Sequence, residues 1–307
     1  MRALVTGGLG FIGSTLVDYL IDNHVEVFVI DDSSTGNESY RNSLAQYLPI
    51  NTSSVNPGES LCNMFDNDLD WIFHLAAKTS VQESIEDPKL YNTNNVTGLV
   101  NMLCLARDIK AERFIFSSSS SVYGDPLYTP TDESHITDPI SPYGVSKLIG
   151  ENYCRNFYRT YGLETTCLRY FNVYGDRQHS EGTYAPVIGK FMEQNNKGLP
   201  MTIYGDGEQR RDFVHVNDVV RANVMAALIE TKSVAKGTCI NIGAGYSYSV
   251  NQIADMIGGD RINNIQPIIE PRESRASIAK AQDLLGWEPE VSLEEWIDGY
   301  KERALLP

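Results

Sequence analysis

The sequence predicts an α/β fold: a doubly wound parallel sheet with helices on both faces, joined to a smaller mixed α/β lobe that would hold a substrate. Three observations carry this expectation. A strand, a glycine turn, a helix, a second strand and a terminal aspartate follow one another from Arg2 to Asp32. Short apolar runs then alternate with longer amphipathic segments as far as Tyr174. Past Gly175 that alternation loosens, as it should where a second lobe begins.

Arg2 to Thr6 reads as a short apolar strand, followed at once by Gly7-Gly8-Leu9-Gly10-Phe11-Ile12-Gly13 and an apolar-periodic helix over Ser14 to Ile21. Glycines at 7, 10 and 13 permit a tight turn and close backbone approach to a pyrophosphate, which the free amides and dipole of the helix start stabilise. A second strand, Val25 to Ile30, ends at Asp31-Asp32, where a carboxylate can accept hydrogen bonds from an adenosine ribose. Asp31 would repel a 2′-phosphate, so the expected cofactor is NAD rather than NADP.

Ser33 to Asp68 is polar and weakly periodic, and reads as loop with a short helix. Asp70 to Ala77 is an apolar strand ending in small residues, as befits a strand end beside a cofactor. A helix from about Pro88 to Ile109 carries Asn94 and Asn95, and Arg113 to Ser117 is the next buried strand. It runs into the serines 117–121 and Val122-Tyr123-Gly124. A serine run is ordinarily a linker, but at the carboxyl edge of a buried strand, where open α/β sheets bind ligands, it reads as part of a site. Ser141-Pro142-Tyr143-Gly144-Val145-Ser146-Lys147 then opens a helix running to about Tyr161. Its i, i+4 spacing sets a phenol and an ammonium on one face. A neighbouring Lys⁺ would lower the Tyr143 pKa from about 10, making it a candidate general base.

The strand Glu164 to Tyr170 closes with Phe171 to Gly175. A helix near Ala185 to Asn195, a strand at Met201 to Tyr204 and the turn Gly205-Asp206-Gly207 lead to Arg210-Arg211, a basic pair able to grip a diphosphate. A helix over Val219 to Ile229, a strand over Thr238 to Ile242, and helices near Val250 to Ile257 and Leu293 to Arg303 finish the chain. The expected division is an NAD-binding domain over 1–174 with 213–245, and a smaller substrate lobe over 175–212 and 246–307. With 42% hydrophobic residues the chain can build a real core, while a net charge of −15 opposes binding to nucleic acid or anionic membranes. Five scattered cysteines and no His-x-x-x-His pairing argue against disulfides and metal centres. No apolar run approaches the roughly 18 residues of a membrane span, and Met1 to Val5 leads straight into a strand, so a cytoplasmic protein is expected.

Thr6 to Gly13, His74-Leu75-Ala76-Ala77, Ser117 to Gly124, Tyr143-Gly144-Val145-Ser146-Lys147, Arg169-Tyr170-Phe171-Asn172, and Gly205-Asp206-Gly207 with Arg211-Asp212-Phe213 together resemble the extended short-chain dehydrogenase/reductases that act on nucleotide sugars. Within that family the likeness is to the UDP-sugar 4-epimerases. Gly182-Thr183-Tyr184-Ala185-Pro186-Val187-Ile188 and Arg272-Glu273-Ser274-Arg275-Ala276 look most like the UDP-N-acetylglucosamine 4-epimerase branch.

The resemblance implies catalysis by Tyr143, Lys147 and Ser119: proton transfer at the sugar 4-oxygen by Tyr143, support of its ionisation by Lys147, and a hydrogen bond from Ser119. It implies NAD held by Gly7, Gly10, Phe11, Ile12, Gly13, Asp31, Asp32, Ser33, Leu75, Ala76, Ala77, Asn94, Ser117, Tyr143, Lys147 and Tyr170. It implies a UDP-sugar held by Thr79, Ser119, Ser120, Asn172, Tyr184, Val187, Tyr204, Arg211, Arg272 and Ser274. A homodimer through the helices near 91–108 and 144–160 is implied as well. The family's adenine-contacting pair has no match within Asn51 to Phe65. Pro267 falls where relatives carry a diphosphate ligand, leaving that charge to Arg211 or to Arg272. The alternative on the same scaffold is a 4,6-dehydratase or decarboxylase, which needs carboxyl groups just before Val122-Tyr123-Gly124, where Ser120 and Ser121 stand. A binding or regulatory protein would keep the glycines but has no use for Ser119, Tyr143 and Lys147 together.

Overall fold

The computed structural model describes residues 1–54, 59–65, 68–178, 186–229, 236–264 and 271–304; Tyr184 and Pro267 lie outside these. In chain order the strands are β1 (Arg2–Thr6), β2 (Glu26–Ile30), β3 (Gln46–Leu48), β4 (Trp71–His74), β5 (Arg113–Ser119), β6 (Thr165–Tyr170), β7 (Asn172–Tyr174), β8 (Met201–Tyr204), β9 (Arg210–Arg211), β10 (Phe213–His215), β11 (Lys236–Ile242), β12 (Tyr248–Ser249), β13 (Arg261–Asn264) and β14 (Glu273–Ser274). The helices are α1 (Phe11–Asp22), α2 (Glu59–Phe65), α3 (Val81–Glu86), α4 (Pro88–Tyr91), α5 (Gly98–Asp108), α6 (Pro142–Tyr161), α7 (Val187–Asn196), α8 (Val216–Leu228), α9 (Val250–Ile257), α10 (Ala279–Leu285) and α11 (Leu293–Ala304).

Seven strands form one sheet in the order β11-β6-β5-β4-β1-β2-β3, with every neighbouring pair parallel. This is the doubly wound α/β fold. The strand order reverses between β1 and β4, so a crevice opens there at the carboxyl edge. Successive side chains face opposite sides. Ala3, Val5, Val27, Val29, Phe73, Ile115 and Leu168 pack with Leu16 and Val17 of α1 and Val219 of α8. Leu4, Phe28, Ile72, Phe114 and Phe116 pack with Leu99 and Leu103 of α5 and Phe157 of α6. Burial on both faces is why these strands read as continuous apolar runs.

A third core joins Tyr174, Ile188, Phe191, Met201, Ile203, Ile253, Trp296 and Ile297 from α7, α9, α11 and the strands between them. Its strands pair as β13-β8 and β10-β7, while β12-β9-β14 forms a small separate sheet. The helix α10, not foreseen in the sequence, packs elsewhere. Ala281 and the following Trp287 are buried against the α1 and α8 side of the main sheet, where Trp287 Nε1 donates to the Asp218 carbonyl at 2.9 Å.

Two further differences have local causes. Where loop was expected, β3 adds a three-residue edge strand, too short to show a period. The helix expected over Pro88 to Ile109 is interrupted by a π-helical turn, Asn92–Thr97. The wider turn rotates the face that points inward. Asn95 is consequently buried, whereas the Asn94 amide donates to the Leu90 carbonyl of its own helix. Among the described residues no helix is long and apolar enough to cross a membrane.

Candidate active site

Beyond β1 the chain turns at Gly7, whose φ of +73° favours glycine. A Cβ at Gly7 would lie 2.8 Å from the Ala76 amide nitrogen, and one at Gly13 would lie 2.0 Å from the Gly7 carbonyl oxygen. The turn therefore packs backbone on backbone. Gly10 caps α1 without a side-chain hydrogen bond, and the first turn holds no acidic residue. The amides of Phe11, Ile12 and Gly13 are thus left for an anion. Asp31 closes the same turn, its carboxylate accepting from the Leu9 amide at 2.9 Å and the Ser33 amide at 2.8 Å. Asp32 accepts from the Ser34 amide at 3.0 Å and from Asn51 Nδ2 at 2.6 Å. Burial raises the Asp32 pKa, but the hydrogen bonds from Ser34 and Asn51 outweigh it and hold the carboxyl below its ordinary range. Ser33, at φ +55°, donates its hydroxyl to Glu38 at 2.7 Å.

Across the crevice Leu75, Ala76 and Ala77 are half-buried. The Ala76 amide donates to Thr6 Oγ1 at 3.1 Å, and Thr6 Oγ1 lies 2.9 Å from His74 Nδ1. Burial pushes His74 down to about 3, so the imidazole stays neutral and serves as a strut between β1 and β4. A glycine cradle that a Cβ would fill, an uncapped helix start and a fixed carboxylate fit a dinucleotide with a free ribose 2′-hydroxyl.

The helix α6 starts at Ser141, whose Oγ accepts from the Gly144 amide at 3.1 Å, with Pro142 in its first turn, and stops at Gly162 with φ +74°. Gly144 lets it touch the serine loop: a Cβ there would lie 2.6 Å from the Ser121 carbonyl oxygen. Tyr143 is thereby set against Ser119, whose hydroxyl favours its ionised form. Ser119 Oγ also accepts from Ser121 Oγ at 2.7 Å. Ser120, beside it, is half-buried. Lys147 is buried, donates Nζ to the Ser117 carbonyl at 2.7 Å and lies 5.8 Å from the centre of the Tyr143 ring. Asn95 braces this helix by donating to Ser146 Oγ at 3.0 Å while holding both the amide and the carbonyl of Lys78.

The downward shift of Tyr143 expected from the Lys147 charge is not found. Burial pushes the phenol up, opposed by the Ser119 hydrogen bond. Burial also pushes Lys147 down to about 7. Both groups lose the hydration of their charged forms, and the ammonium donates to a neutral carbonyl.

The remaining expected residues are spread over both lobes. Tyr170 commits its hydroxyl to Asn223 of α8 at 2.9 Å. Asn172 Nδ2 donates to the Asp212 carbonyl at 3.1 Å. Arg211 donates to the Arg210 carbonyl at 2.8 Å and has Ser274 as its register partner. Arg272 is held by Asp206 through two contacts of 2.9 Å, which draw the Asp206 carboxyl down to about 2. In this structure the guanidinium expected as an alternative diphosphate ligand is therefore engaged by a carboxylate. Val187 opens α7 and packs against the third core, and Tyr204 ends β8 with Lys190 Nζ 5.7 Å from its ring centre. Thr79 is exposed, just ahead of the helix-capping Ser80.

Three positioning features were not singled out from the sequence. Asn95 differs from its neighbour only in which way the π turn faces it. Asp212, fully buried, accepts from the amides of Ala244 at 2.6 Å, Gly245 at 3.0 Å and Ala276 at 2.9 Å, with burial pushing its pKa up to about 6. Its place between Arg211 and Phe213 was the available signal. Behind Ser119, Tyr143 and Lys147, Glu151 accepts from Ser118 Oγ at 2.6 Å and from Arg169 at 2.8 and 2.7 Å, while Arg169 also donates to Tyr123 at 2.8 Å. A buried pair so fully hydrogen-bonded fixes α6 against β5 and β6.

Residues 3–243 match the NAD dependent epimerase/dehydratase family. The chain belongs to this family. Its cofactor is NAD. The UDP-glucose 4-epimerase of Mycolicibacterium smegmatis is 36% identical, over 97% of this chain and 96% of its own. Among solved structures, the UDP-glucose 4-epimerase of Thermotoga maritima with UDP-glucose superposes with a TM-score of 0.91 at 37% identity, covering 100% of both chains. The UDP-N-acetylglucosamine 4-epimerase of Methanobrevibacter ruminantium M1 with UDP-N-acetylmuramic acid gives 0.90 at 33% identity and 98% of both chains. UDP-glucuronic acid decarboxylase 1 of Xenopus tropicalis is also similar to this epimerase/dehydratase, at 33% identity over 97% of this chain and 70% of that protein.

Proposed function

We propose that the protein is a cytoplasmic UDP-sugar 4-epimerase that interconverts UDP-GlcNAc with UDP-GalNAc and accepts UDP-Glc and UDP-Gal. The observation that carries this reading is Tyr143 set beside Ser119, with Lys147 buried behind them and held by the Ser117 carbonyl, at the carboxyl edge beside the glycine cradle. Tyr143 takes the proton of the sugar 4-hydroxyl and later returns one to the 4-oxygen of the turned sugar. NAD, when bound, supplies a reversible hydride acceptor for C4. Ser119 holds the 4-oxygen throughout, and its own hydroxyl is oriented by Ser121. Lys147 places a donor beside the phenol and balances charge as the phenol ionises. Burial excludes water from both groups, which protects the 4-keto sugar while it turns over.

Residues 175–212 and 246–307, apart from α10 and Trp287, which pack on the main sheet, supply the nucleotide-sugar lobe, with Asn172 and Arg211 at its boundary. Ser274, small and half-buried, leaves room for a C2 acetamido group. A groove of about 470 Å³ lined by Val96, Pro139, Ile140, Val145 and Ile149, with Val145 42% and Ile140 53% exposed, supports a homodimer through α6 and the helix before it.

The decarboxylase relative gives a second reading its one support. Against it, that reaction and the 4,6-dehydratase reaction both need carboxyl groups at the serine loop, and Ser120 and Ser121 supply none. Incubation with each UDP-sugar followed by proton NMR tests the choice: C4 inversion supports the epimerase, whereas a C6 methyl doublet or loss of the carboxyl carbon supports the alternatives.

A further inference from the structure

A second concavity, of about 370 Å³, lies between the last turns of α6 and the start of β11. Arg155, Arg159, Lys236 and Lys280 line it against the single carboxylate of Glu133. Arg169 reaches it too, but Glu151 already neutralises that guanidinium. From Tyr143 to Arg155 the helix advances about 18 Å at 1.5 Å per residue, so this cavity is separate from the catalytic crevice.

Its charge runs against that of the molecule. The chain carries a net −15, and Arg2, Arg41, Arg107, Arg113, Arg177, Arg221, Arg261, Arg272 and Arg303 each pair with a carboxylate. Among the described residues, Arg155, Arg159, Lys236 and Lys280 have no carboxylate within 4.0 Å. Glu133, the one acid among the described lining residues, accepts the Asn241 amide at 2.7 Å. Cations gathered in this way repel one another, and an anion between them relieves that repulsion.

The backbone is shaped to bring them together. The register of β11 on β6 shifts between Lys236 and Thr238, and Gly237 takes φ +73°. Its backbone approaches α6 so closely that a Cβ would lie 2.4 Å from the Arg155 Cα. Such a bulge re-aims the adjoining side chain, here Lys236, and fixes the spacing of the strand and helix cations.

We propose that this cavity binds a small diphosphate-bearing anion. Arg155 and Arg159 offer planar donor pairs suited to phosphate oxygens, and Lys236 and Lys280 add point charge. Tyr158, also in the wall, gives a ring face on which a nucleobase can rest. The diphosphate is either free or carried by a nucleotide.

The test titrates inorganic pyrophosphate calorimetrically into the NAD-loaded Arg211→Ala protein, in which the expected crevice ligand for a diphosphate is gone. The same titration is run with Arg159→Ala and Lys236→Ala added. Saturable binding in the first protein, weakened roughly tenfold or more by the added changes, is the expected result. The Arg159→Ala, Lys236→Ala double variant on the parent background keeps its melting temperature and its turnover. ADP as a second titrant separates the sources: tighter binding than pyrophosphate, reduced by Tyr158→Ala, assigns a nucleotide, and equal binding assigns free diphosphate. Pyrophosphate binding that is absent from the Arg211→Ala protein, or unchanged by the added substitutions, overturns the proposal.

Discussion

Ser274 stands directly opposite Arg211 in the parallel pairing of β14 with β9. The backbone of the residue expected to gate the sugar's C2 substituent is thus one strand spacing, about 4.8 Å, from the backbone of the arginine expected to hold the diphosphate. Both are half-buried, and neither pairing strand is longer than two residues.

That adjacency makes Ser274→Tyr a selective probe. The larger side chain fills space that an acetamido group needs as the keto sugar turns, and overpacking a tight site costs about 1–3 kcal/mol, or one to two decades in rate. The expected outcome is a fall of that size in kcat/KM for UDP-GlcNAc and UDP-GalNAc, with UDP-Glc and UDP-Gal nearly unchanged. Equal activity on the N-acetylated pair before and after the change would remove Ser274 as the gate.

Tyr143→Phe keeps the ring that packs edge-on against Tyr91 at 6.5 Å and deletes only the hydroxyl. Turnover is expected to fall by at least about 10²-fold, the usual loss with a general acid or base. Binding of a UDP-sugar, followed by calorimetry, should stay within about tenfold of the parent. A variant that keeps more than about a tenth of parental turnover would rule the phenol out as the proton carrier.

Lys147 links stability to pH. Its folded pKa of about 7 lies below the roughly 10.4 of an unfolded lysine. Between those values the unfolded chain holds more protons, so this group makes unfolding free energy rise with pH, by up to about 1.4 kcal/mol per unit. Below pH 7 its penalty is constant. Lys147→Met removes the titration and is expected to be inactive, yet to gain stability relative to the parent at pH 7, with the difference shrinking towards pH 9. Urea unfolding at the two pH values measures it, and a difference that does not change with pH would contradict the buried-lysine account.

Asp31 sits within the cofactor turn, fixed by the Leu9 and Ser33 amides. A 2′-phosphate would meet this carboxylate, so equilibrium titration should show NAD bound more tightly than NADP, and Asp31→Ala should narrow the gap. Tighter binding of NADP by the parent would show that Asp31 does not face the ribose.

What could be read from the sequence follows from how local its causes are. The first turn needs Gly7 for its own positive φ and Gly13 for its contact with the Gly7 carbonyl oxygen six residues back, and α6 announces itself through Ser141, Pro142 and Gly162. Tyr143 and Lys147 share a face by helical geometry alone. The strands β9, β12 and β14 were not legible, since two-residue strands have no period and exist only through pairing of distant segments. That Arg272, expected as a possible diphosphate ligand, is held by Asp206 was not legible because the two are 66 residues apart. Tyr143 shifted upward because desolvation depends on the whole packed environment, which no spacing encodes. The bracing role of Asn95 was not legible because a π turn changes facing without changing composition.

The central claim is that Ser119, Tyr143 and Lys147 invert C4 of a UDP-sugar without net oxidation. Proton NMR of UDP-GlcNAc incubated with the purified protein, with no added nicotinamide nucleotide, tests it most directly. The account predicts approach from either side to one equilibrium mixture of UDP-GlcNAc and UDP-GalNAc, with carbon 6 unaltered, and loss of that conversion in Tyr143→Phe. A product with a C6 methyl doublet, or conversion that proceeds equally well in Tyr143→Phe, would contradict it.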